Sequence, residues 1–277
     1  MSNNTLVKEM GAEFVGTFIL VLFGVGSVCV SVWTGVYGLW VVSLMFALGV
    51  ALGVYASGKV SGGHINPAVT ITMAVFTDFP WSKVLPYIVA QVLAAFAAAA
   101  LIHYFYGDIL AGFEAAKGLV RGEAGSQLSA MGYTTYAPNP AIIGTDAASF
   151  GKVSHVQWFL SEAFGTAVLL FGIFYLLDED NSLAPQANLA PVMIGLLVAA
   201  IVAYEAPISM TALNPARDLG PRAWAAVAGW GEIAFPGPRG GWWIPAVSTI
   251  TGALIGGALY NGLYKTVFQA PKQQAES

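Results

Sequence analysis

Long apolar runs, separated by short polar joins, dominate the chain. A helix needs about 20 apolar residues to cross a lipid bilayer. Six runs reach that length, at residues 9–33, 39–58, 83–106, 156–177, 187–206 and 243–267. The pattern therefore predicts an all-α membrane protein with six transmembrane helices.

Two further apolar stretches, at 66–77 and 214–226, are only about a dozen residues long and are too short to span a bilayer. Each begins with Asn-Pro. Proline suits the first turn of a helix, because the N–H that it lacks would have no partner there. We interpret both stretches as re-entrant half-helices that enter the membrane and stop midway.

The amino-acid composition agrees with a protein that is surrounded by lipid. Hydrophobic residues make up 57% of the 277 residues and charged residues only 9%, against about 25% in soluble domains. The net charge of −4 gives no indication of a nucleic-acid partner. Cys29 is the only cysteine, so it cannot form an intrachain disulfide, and we expect it to be a core residue.

The two halves of the chain repeat each other. In the first half Glu13 precedes Asn66 by 53 positions, and in the second half Glu162 precedes Asn214 by 52. Each half carries three spans, which is an odd number, so the second half must enter the membrane upside down. We expect an inverted repeat, which places a site near the bilayer midplane between the halves.

These boundaries divide the chain into three parts. The first repeat occupies 1–106, a long loop rich in Gly, Ala, Ser and Pro occupies 107–155, and the second repeat occupies 156–277.

The two Asn-Pro-Ala segments indicate a pore. A helix N-terminus carries about half a positive charge and several free N–H groups. Two such ends that meet at mid-membrane would repel cations, and the two Asn side chains would offer donors to a solute oxygen. The residues concerned are Asn66, Pro67, Ala68, Asn214, Pro215 and Ala216.

The segments before each Asn, 62–65 and 210–213, should be extended, with their backbone carbonyls forming a ladder of acceptors along the pore. Non-helical backbone survives at that depth only where it lines a watery cavity or is buried in protein. We expect the opposite wall to be apolar. The ladder residues are Gly62, Gly63, His64, Ile65, Met210, Ala212 and Leu213.

Residues 61–70 and 213–222 resemble the two pore loops of the aquaporin family, also called the major intrinsic proteins. The resemblance extends from Glu13 to about Tyr264 and implies the aquaporin fold, with half-helix dipoles that exclude protons and cations. It also implies a homotetramer with one pore per subunit, both termini in the cytoplasm, and the long loop outside.

The second pore loop is similar to that of the glycerol-conducting branch, the aquaglyceroporins. The similarity lies in Arg217, which directly follows the second Asn-Pro-Ala, and in Asp218 and Arg222. By resemblance, Arg217 stands at the outer constriction, where it donates to the solute and repels cations. Asp218 should shape the loop as an ion-pair or capping partner. The resemblance thus implies a passive channel for glycerol and other small uncharged solutes, with some water.

The resemblance also implies that Phe46, Val202 and Thr211 complete the selectivity filter with Arg217. Strict water channels have His at the position of Val202, which argues against that class. Glycerol channels often have Trp at the position of Phe46 and an aromatic residue at that of Thr211. The replacements predict a filter at least as wide as a glycerol filter and more polar on one side. Such a pore could also pass urea, hydrogen peroxide or protonated lactic acid.

Glu13 and Glu162 lie within spans, where a carboxylate is costly. Their matched positions in the two halves favour a structural role over catalysis. Each should accept hydrogen bonds from backbone N–H groups of the nearby pore loop. A third Asn-Pro-Ala, at residues 139–141, has no half-helix after it and no Glu-bearing span at the right distance, so we interpret it as an ordinary turn.

Other classes of function are weaker. An energised transporter or ion channel would require paired acidic residues near the bilayer midplane. The fixed positive charge of Arg217 also disfavours the passage of cations. An enzyme would need a nucleophile–base pair, a metal-ligand cluster or a phosphate loop, and we find none, so we predict no enzymatic activity, cofactor or metal site. Short tails without targeting motifs suggest a bacterial cytoplasmic membrane.

Overall fold

The computed structural model describes residues 3–267, and this part of the chain folds into helices without strands. Short 3₁₀ and π turns join some of them. The helices are α1 (Asn3–Thr34), α2 (Leu39–Ser61), α3 (Pro67–Phe76), α4 (Val84–Lys117), α5 (Gln127–Ala130), α6 (Ala147–Phe150), α7 (His155–Leu177), α8 (Ala190–Ser209), α9 (Pro215–Ala225), α10 (Ile244–Ala258) and α11 (Lys265–Val267).

Five helices of the described part, α1, α2, α4, α7 and α8, are long and apolar enough to cross a membrane. The sixth predicted span is divided into pieces. Helix α10 has 15 residues and continues through a π turn, Leu259–Tyr264, into α11. The helical stretch 244–267 is about 36 Å long at 1.5 Å per residue, so it also exceeds the bilayer core of about 30 Å.

The two Asn-Pro stretches form the short helices α3 and α9, of 10 and 11 residues. Helix α3 packs mainly against α10, and α9 packs mainly against α4. Each half of the chain therefore inserts its short helix against the third span of the other half. This exchange, together with the contact of α2 with α8, holds the two halves together.

The long loop begins later than predicted. The sequence indicated a start at 107, whereas α4 continues to Lys117. Residues 107–117 contain helix-forming Ala, Leu and Glu, and the extension buries Leu110 and Glu114 on one face. The helix ends at Gly118, whose φ of 64° lies in the left-handed region that favours glycine.

The fifth span also differs at its start, because α8 begins at Ala190 and not at 187. Ala187 and Asn188 have φ values of 52° and 60°, which a right-handed helix cannot contain. Pro191 then occupies the first helical turn.

Small residues allow close helix contacts within each half. A Cβ atom added to Gly49 of α2 would lie 3.0 Å from the carbonyl oxygen of Leu20, and one added to Gly53 would lie 2.6 Å from that of Gly16. Helix α10 approaches α7 equally closely. There Gly252 and Gly256 face the carbonyls of Ala163 and Ala167.

The outward faces of the long helices are apolar. Such a surface is unfavourable in water and suits contact with lipid, since the backbone polar groups are satisfied within the helices. Exposed examples include Val15, Leu48, Leu93, Leu160 and Leu196.

Candidate solute pore

A cavity between the two halves collects most of the predicted pore residues. It contains about 880 Å³ of space not filled by atoms, counting its open mouth. We call it the pore cavity. Apolar side chains from α1, α2, α7 and α8 line much of it, among them Leu20, Val50, Leu169, Ile173 and Val198. The predicted residues on its wall are Phe46, Gly62, Gly63, His64, Ile65, Asn66, Val202, Thr211, Ala212, Leu213, Asn214 and Arg217.

The remaining predicted residues lie beside the pore cavity. Pro67 with Ala68, and Pro215 with Ala216, begin the two half-helices and are buried behind the pore loops. Met210 lines a second cavity, the vestibule, whose wall includes Met131 and other residues of the long loop.

Asn66 and Asn214 join the two halves at the centre of the pore. In each, the side-chain Oδ1 accepts from the N–H of the Ala two positions later, at 2.9 Å, and so caps its half-helix. The Nδ2 of Asn66 donates to the Leu213 carbonyl at 2.9 Å, and that of Asn214 donates to the Ile65 carbonyl at 2.8 Å. An amide NH2 carries two donors, so each side chain keeps one for a solute in the cavity.

The pore loops are not extended, so that prediction is wrong. Positive φ occurs at the same three positions before each Asn. An extended strand would send successive N–H groups to opposite sides, whereas left-handed residues within a loop can turn neighbouring N–H groups toward one anion. The residues are Gly62 (91°), Gly63 (67°), Ile65 (44°), Met210 (65°), Thr211 (58°) and Leu213 (55°).

In the first loop that anion is Glu13, which is fully buried. Its carboxylate accepts from the N–H groups of His64 at 2.9 Å and Ile65 at 2.7 Å. The hydroxyl of Ser61 donates to it at 2.6 Å and the amide of Gln91 at 2.7 Å. These four donors fix the loop against α1 and α4.

Glu162 has the same relation to the second loop and is also fully buried. Its carboxylate accepts from the Ala212 N–H at 2.9 Å and from the Leu213 N–H at 3.2 Å. The two Glu residues thus contact corresponding amides in the two repeats.

Phe46 and Val202 lie where the pore cavity meets the vestibule, because both line the two cavities. Arg217 reaches the same point, with its guanidinium carbon 5.2 Å from the centre of the Phe46 ring. These side chains therefore surround the passage between the cavities.

Two polar atoms of residues on the wall of the pore cavity have no hydrogen-bond partner within residues 3–267. Arg217 is only 2% exposed, and its Nη1 donates to the Tyr133 carbonyl at 3.4 Å, but its Nε is unpaired. The hydroxyl of Thr211 is buried and unpaired as well. A buried polar group without a partner is costly, so a passing hydroxyl or water that bonds to these atoms would be stabilised.

Asp218 faces away from the pore cavity and forms a buried network. Its carboxylate pairs with the Arg222 Nε at 2.8 Å, and neither side chain is more than 1% exposed. It also accepts from the Thr134 hydroxyl at 2.9 Å and from the Thr135 N–H at 2.8 Å. Asp218 thus connects α9 to the long loop above the pore.

The sequence analysis predicted no functional role for three polar residues of this region. Gln91 supports Glu13, and Glu205 of α8 is a third buried carboxylate. A polar residue in the middle of an apolar run was the available signal for both. Asn139 of the third Asn-Pro-Ala is the other case.

The third Asn-Pro-Ala forms a turn without a half-helix, but Asn139 and Pro140 are buried, and Asn139 and Ala141 line the vestibule. The Asn139 Oδ1 accepts from the Ala141 N–H at 3.0 Å, and its Nδ2 donates to the Ala206 carbonyl at 2.9 Å. It repeats the hydrogen bonds of the two pore Asn residues at the end of α8, outside the pore cavity.

Comparison with known proteins gives a consistent result. The family model described as Major intrinsic protein matches residues 1–260. The Glycerol uptake facilitator protein of Escherichia coli (strain K12) is 41% identical over 263 residues, which cover 94% of this chain and 89% of the relative. The Propanediol uptake facilitator PduF of Salmonella typhimurium is 39% identical over 261 residues, covering 93% and 94%. The solved structure of the aquaglyceroporin from Plasmodium falciparum superposes with a TM-score of 0.78 at 26% identity, covering 93% and 96%.

Proposed function

The chain belongs to the major intrinsic protein family, a family of membrane channels, and we propose that it is a passive channel for glycerol and other small uncharged solutes. One observation carries the proposal. A single cavity combines unpaired polar atoms of Arg217 and Thr211 with the Asn66 and Asn214 amides and a largely apolar wall.

This wall suits a short polyol. Its hydroxyl oxygens would accept from the free N–H groups of the two Asn side chains and from Arg217. Its hydroxyl hydrogens would donate to Thr211 and to loop carbonyls, while its carbon atoms would contact Phe46 and the apolar residues of α7 and α8. A solute without hydrogen-bonding groups would leave the buried polar atoms unpaired and would be disfavoured.

Cations meet a positive electrostatic barrier in the pore. The N-termini of α3 and α9 both begin at the pore cavity, and each contributes about half a positive charge. Arg217 adds a full positive charge at the passage to the vestibule. Protons and metal cations are therefore excluded, and the two Asn side chains fix the orientation of a central water so that it does not relay a proton.

The filter composition favours a broad range of neutral solutes over water alone. Among residues 3–267 no histidine lines the passage between the cavities, and Thr211 is smaller than an aromatic side chain. Urea, hydrogen peroxide and protonated lactic acid are further candidates by size, and the similarity to a propanediol facilitator supports short diols. A strict water channel is the alternative that the test below distinguishes.

The chain is an integral membrane protein, and we place it in a bacterial cytoplasmic membrane with both termini in the cytoplasm. We expect a homotetramer with one pore in each subunit, and we assign it no enzymatic step. The relatives from Escherichia coli and Salmonella typhimurium are bacterial, which supports the placement. The mass of the purified complex, measured by light scattering with the detergent contribution subtracted, tests the tetramer.

The transport proposal is tested by stopped-flow light scattering on proteoliposomes that contain the wild-type protein or Thr211→Phe. We expect fast glycerol and water flux in the wild type, and glycerol flux reduced at least about tenfold in the variant. Glycerol channels with an aromatic residue at the position of Thr211 have a small residue at that of Val202, whereas here the added ring would share the passage with the Val202 side chain. Thr251→Phe is the matched control, since the Thr251 hydroxyl bonds only its own helix, away from the pore cavity.

Fast water flux with negligible glycerol flux in the wild type would contradict the proposal and leave a water channel. Equal glycerol flux in Thr211→Phe and the wild type would remove Thr211 from the filter.

A further inference from the structure

Glu205 is a buried carboxylate that the proposed transport mechanism does not use. It is 1% exposed and lies one helical turn before Ser209, the last residue of α8. It lines neither the pore cavity nor the vestibule. A carboxylate within a membrane span is costly, so a physical role is expected for it.

The contacts of Glu205 lead to the filter. Its Oε1 accepts from the Ser161 hydroxyl of α7 at 2.8 Å and from the Ser209 hydroxyl at 3.1 Å. The oxygen of Ser209 in turn accepts from the Thr211 N–H at 3.4 Å. Glu205 is thus two contacts away from the backbone that orients the Thr211 hydroxyl.

Comparison of the two repeats shows that a carboxylate at the position of Glu205 occurs only in the second half. The position nine residues before the pore Asn is Ser57 in the first half and Glu205 in the second. In the first half Ser57 bonds only its own helix, and Ser61 donates to Glu13 at 2.6 Å. In the second half Ser209, the counterpart of Ser61, donates to Glu205 at 3.1 Å and also lies within hydrogen-bonding reach of Glu162. The support of the second loop is therefore shared between Glu162 and Glu205.

The surroundings hold the Glu205 side chain in one place. Its Oε2 lies too close to the Cβ position at Gly165 for a side chain to fit there, so the carboxyl group packs against the backbone of α7. Glu162, on the same helix, is close enough to interact with it electrostatically. Within residues 3–267 Glu205 forms no ion pair with Lys or Arg, and its hydrogen-bond partners are hydroxyls.

We propose that Glu205 is a positioning residue for the selectivity filter, which acts through Ser209 to fix the loop that carries Thr211. The inference rests on the proposed function, since it assumes that Thr211 contacts the solute. A polyol needs several hydrogen bonds in register, whereas a water molecule adapts to a displaced partner. Loss of Glu205 therefore reduces glycerol flux more than water flux.

The test is the ratio of glycerol to water permeability in proteoliposomes. Glu205→Leu keeps a similar volume but removes the acceptor, and the ratio falls about threefold to tenfold, the range for one misplaced hydrogen bond. Glu205→Gln keeps an acceptor oxygen and restores the ratio to within about twofold, as expected where a neutral acceptor suffices.

A double variant of Glu205 and Ser209 distinguishes a positioning role of Glu205 from a general disturbance of the fold. Ser209→Ala lowers the ratio to the same extent, and Glu205→Leu combined with Ser209→Ala lowers it no further, because both act through one contact. Ser57→Ala is the matched control in the first repeat and leaves the ratio unchanged, since its hydroxyl bonds only the Gly53 carbonyl of its own helix.

Each outcome decides a separate point. A wild type without glycerol flux contradicts the proposed function itself. If the wild type conducts glycerol, two results overturn the role of Glu205. One is an equal reduction of glycerol and water permeability in Glu205→Leu, and the other is an additive loss of the permeability ratio in the double variant. If Glu205→Leu does not fold, Ser209→Ala decides alone, and an unchanged ratio there overturns the inference.

Discussion

At the scale of single residues, the pore loops contain a conformation that their side chains disfavour. Ile65 and Thr211 are β-branched, yet both have positive φ, which is rare for such residues. Strain of this kind costs on the order of 1–3 kcal/mol per residue and persists only where the surroundings impose it. The carboxylates of Glu13 and Glu162 supply part of that constraint by binding the neighbouring N–H groups.

The support of the second loop gives a first prediction at this scale. Glu162→Ala leaves the buried N–H groups of Ala212 and Leu213 without their acceptor, at a cost of about 1–3 kcal/mol each. We expect the loop to relax and glycerol permeability to fall at least about tenfold. Stopped-flow measurements at equal protein content in the vesicles check this.

Glu179→Ala is the control, because Glu179 is exposed between α7 and α8 and lines neither the pore cavity nor the vestibule. It should leave glycerol permeability within about twofold of the wild type, as is usual for changes remote from a site. Unchanged flux in Glu162→Ala, with normal protein content, would show that the loop holds its shape without this residue.

At the scale of elements, the contact between α1 and α2 gives a prediction. Gly53→Ala places a methyl group about 2.6 Å from the Gly16 carbonyl oxygen, so the two helices must separate. Overpacking of this kind typically costs about 1–3 kcal/mol. We expect a lower midpoint of thermal unfolding in detergent, followed by tryptophan fluorescence.

Gly58→Ala on the same helix is the matched control. Its added methyl group would meet only the Val54 side chain, at an ordinary contact distance of 3.8 Å. Alanine is the better helix former by about 0.5–1 kcal/mol, so the midpoint should stay or rise. Equal midpoints for the two variants would contradict the importance of the close contact.

The junction of α9 with the long loop gives another prediction. Asp218→Asn keeps the shape of the side chain but leaves the buried Arg222 without its counter-ion. Removing one partner of a buried pair costs about 3–5 kcal/mol. We expect a clear loss of thermal stability, in contrast to Lys265→Gln, whose pair with Asp178 is partly exposed and worth about 1 kcal/mol or less. Equal losses of thermal stability in the two variants would show that Arg222 forms another stabilising contact when Asp218 is replaced.

The elements show which features a sequence can predict. Asn-Pro before a short apolar stretch identifies α3 and α9, because a span has a minimum length and proline has one suitable place in a helix. The extent of α4 was missed, since its last turns leave the hydrophobic run and are fixed by the burial of Leu110 and Glu114 against the long loop. Tertiary contacts of this kind leave no local pattern.

The loops were beyond a pattern-based prediction for another reason. Period-two or period-3.6 patterns describe strands and helices, whereas left-handed residues at the first, second and fourth of the four positions before each Asn have neither period. Gly62 and Gly63 permit positive φ, but Met210 and Thr211 in the second loop give no such indication. Glu205 did give a signal, because it interrupts an apolar run as Glu13 and Glu162 do, but it has no acidic counterpart in the first repeat.

At the scale of the whole molecule, the inverted repeat produces an electric field that neither half has alone. The N-termini of α3 and α9 meet across the bonds from Asn66 to Leu213 and from Asn214 to Ile65. Both positive ends therefore act on the same short segment of the cavity. A transported cation would have to lose its water and cross this segment, whereas a neutral polyol meets only donors and acceptors.

The barrier to ions gives the last prediction. Arg217→Val removes a full positive charge at the passage between the cavities and leaves the half-helix ends in place. A unit charge at about 4 Å contributes about 4 kcal/mol at an effective dielectric constant of 20, so proton permeability should rise by at least about tenfold. The measurement is the decay of a pH gradient in proteoliposomes with a fluorescent indicator, and Lys117→Gln removes an equal charge at the exposed end of α4 as the control. If the Arg217→Val channel still conducts glycerol and its proton permeability stays as low as that of the wild type, the two half-helices alone exclude protons. Their N-termini are the positive ends that remain at the centre of the cavity.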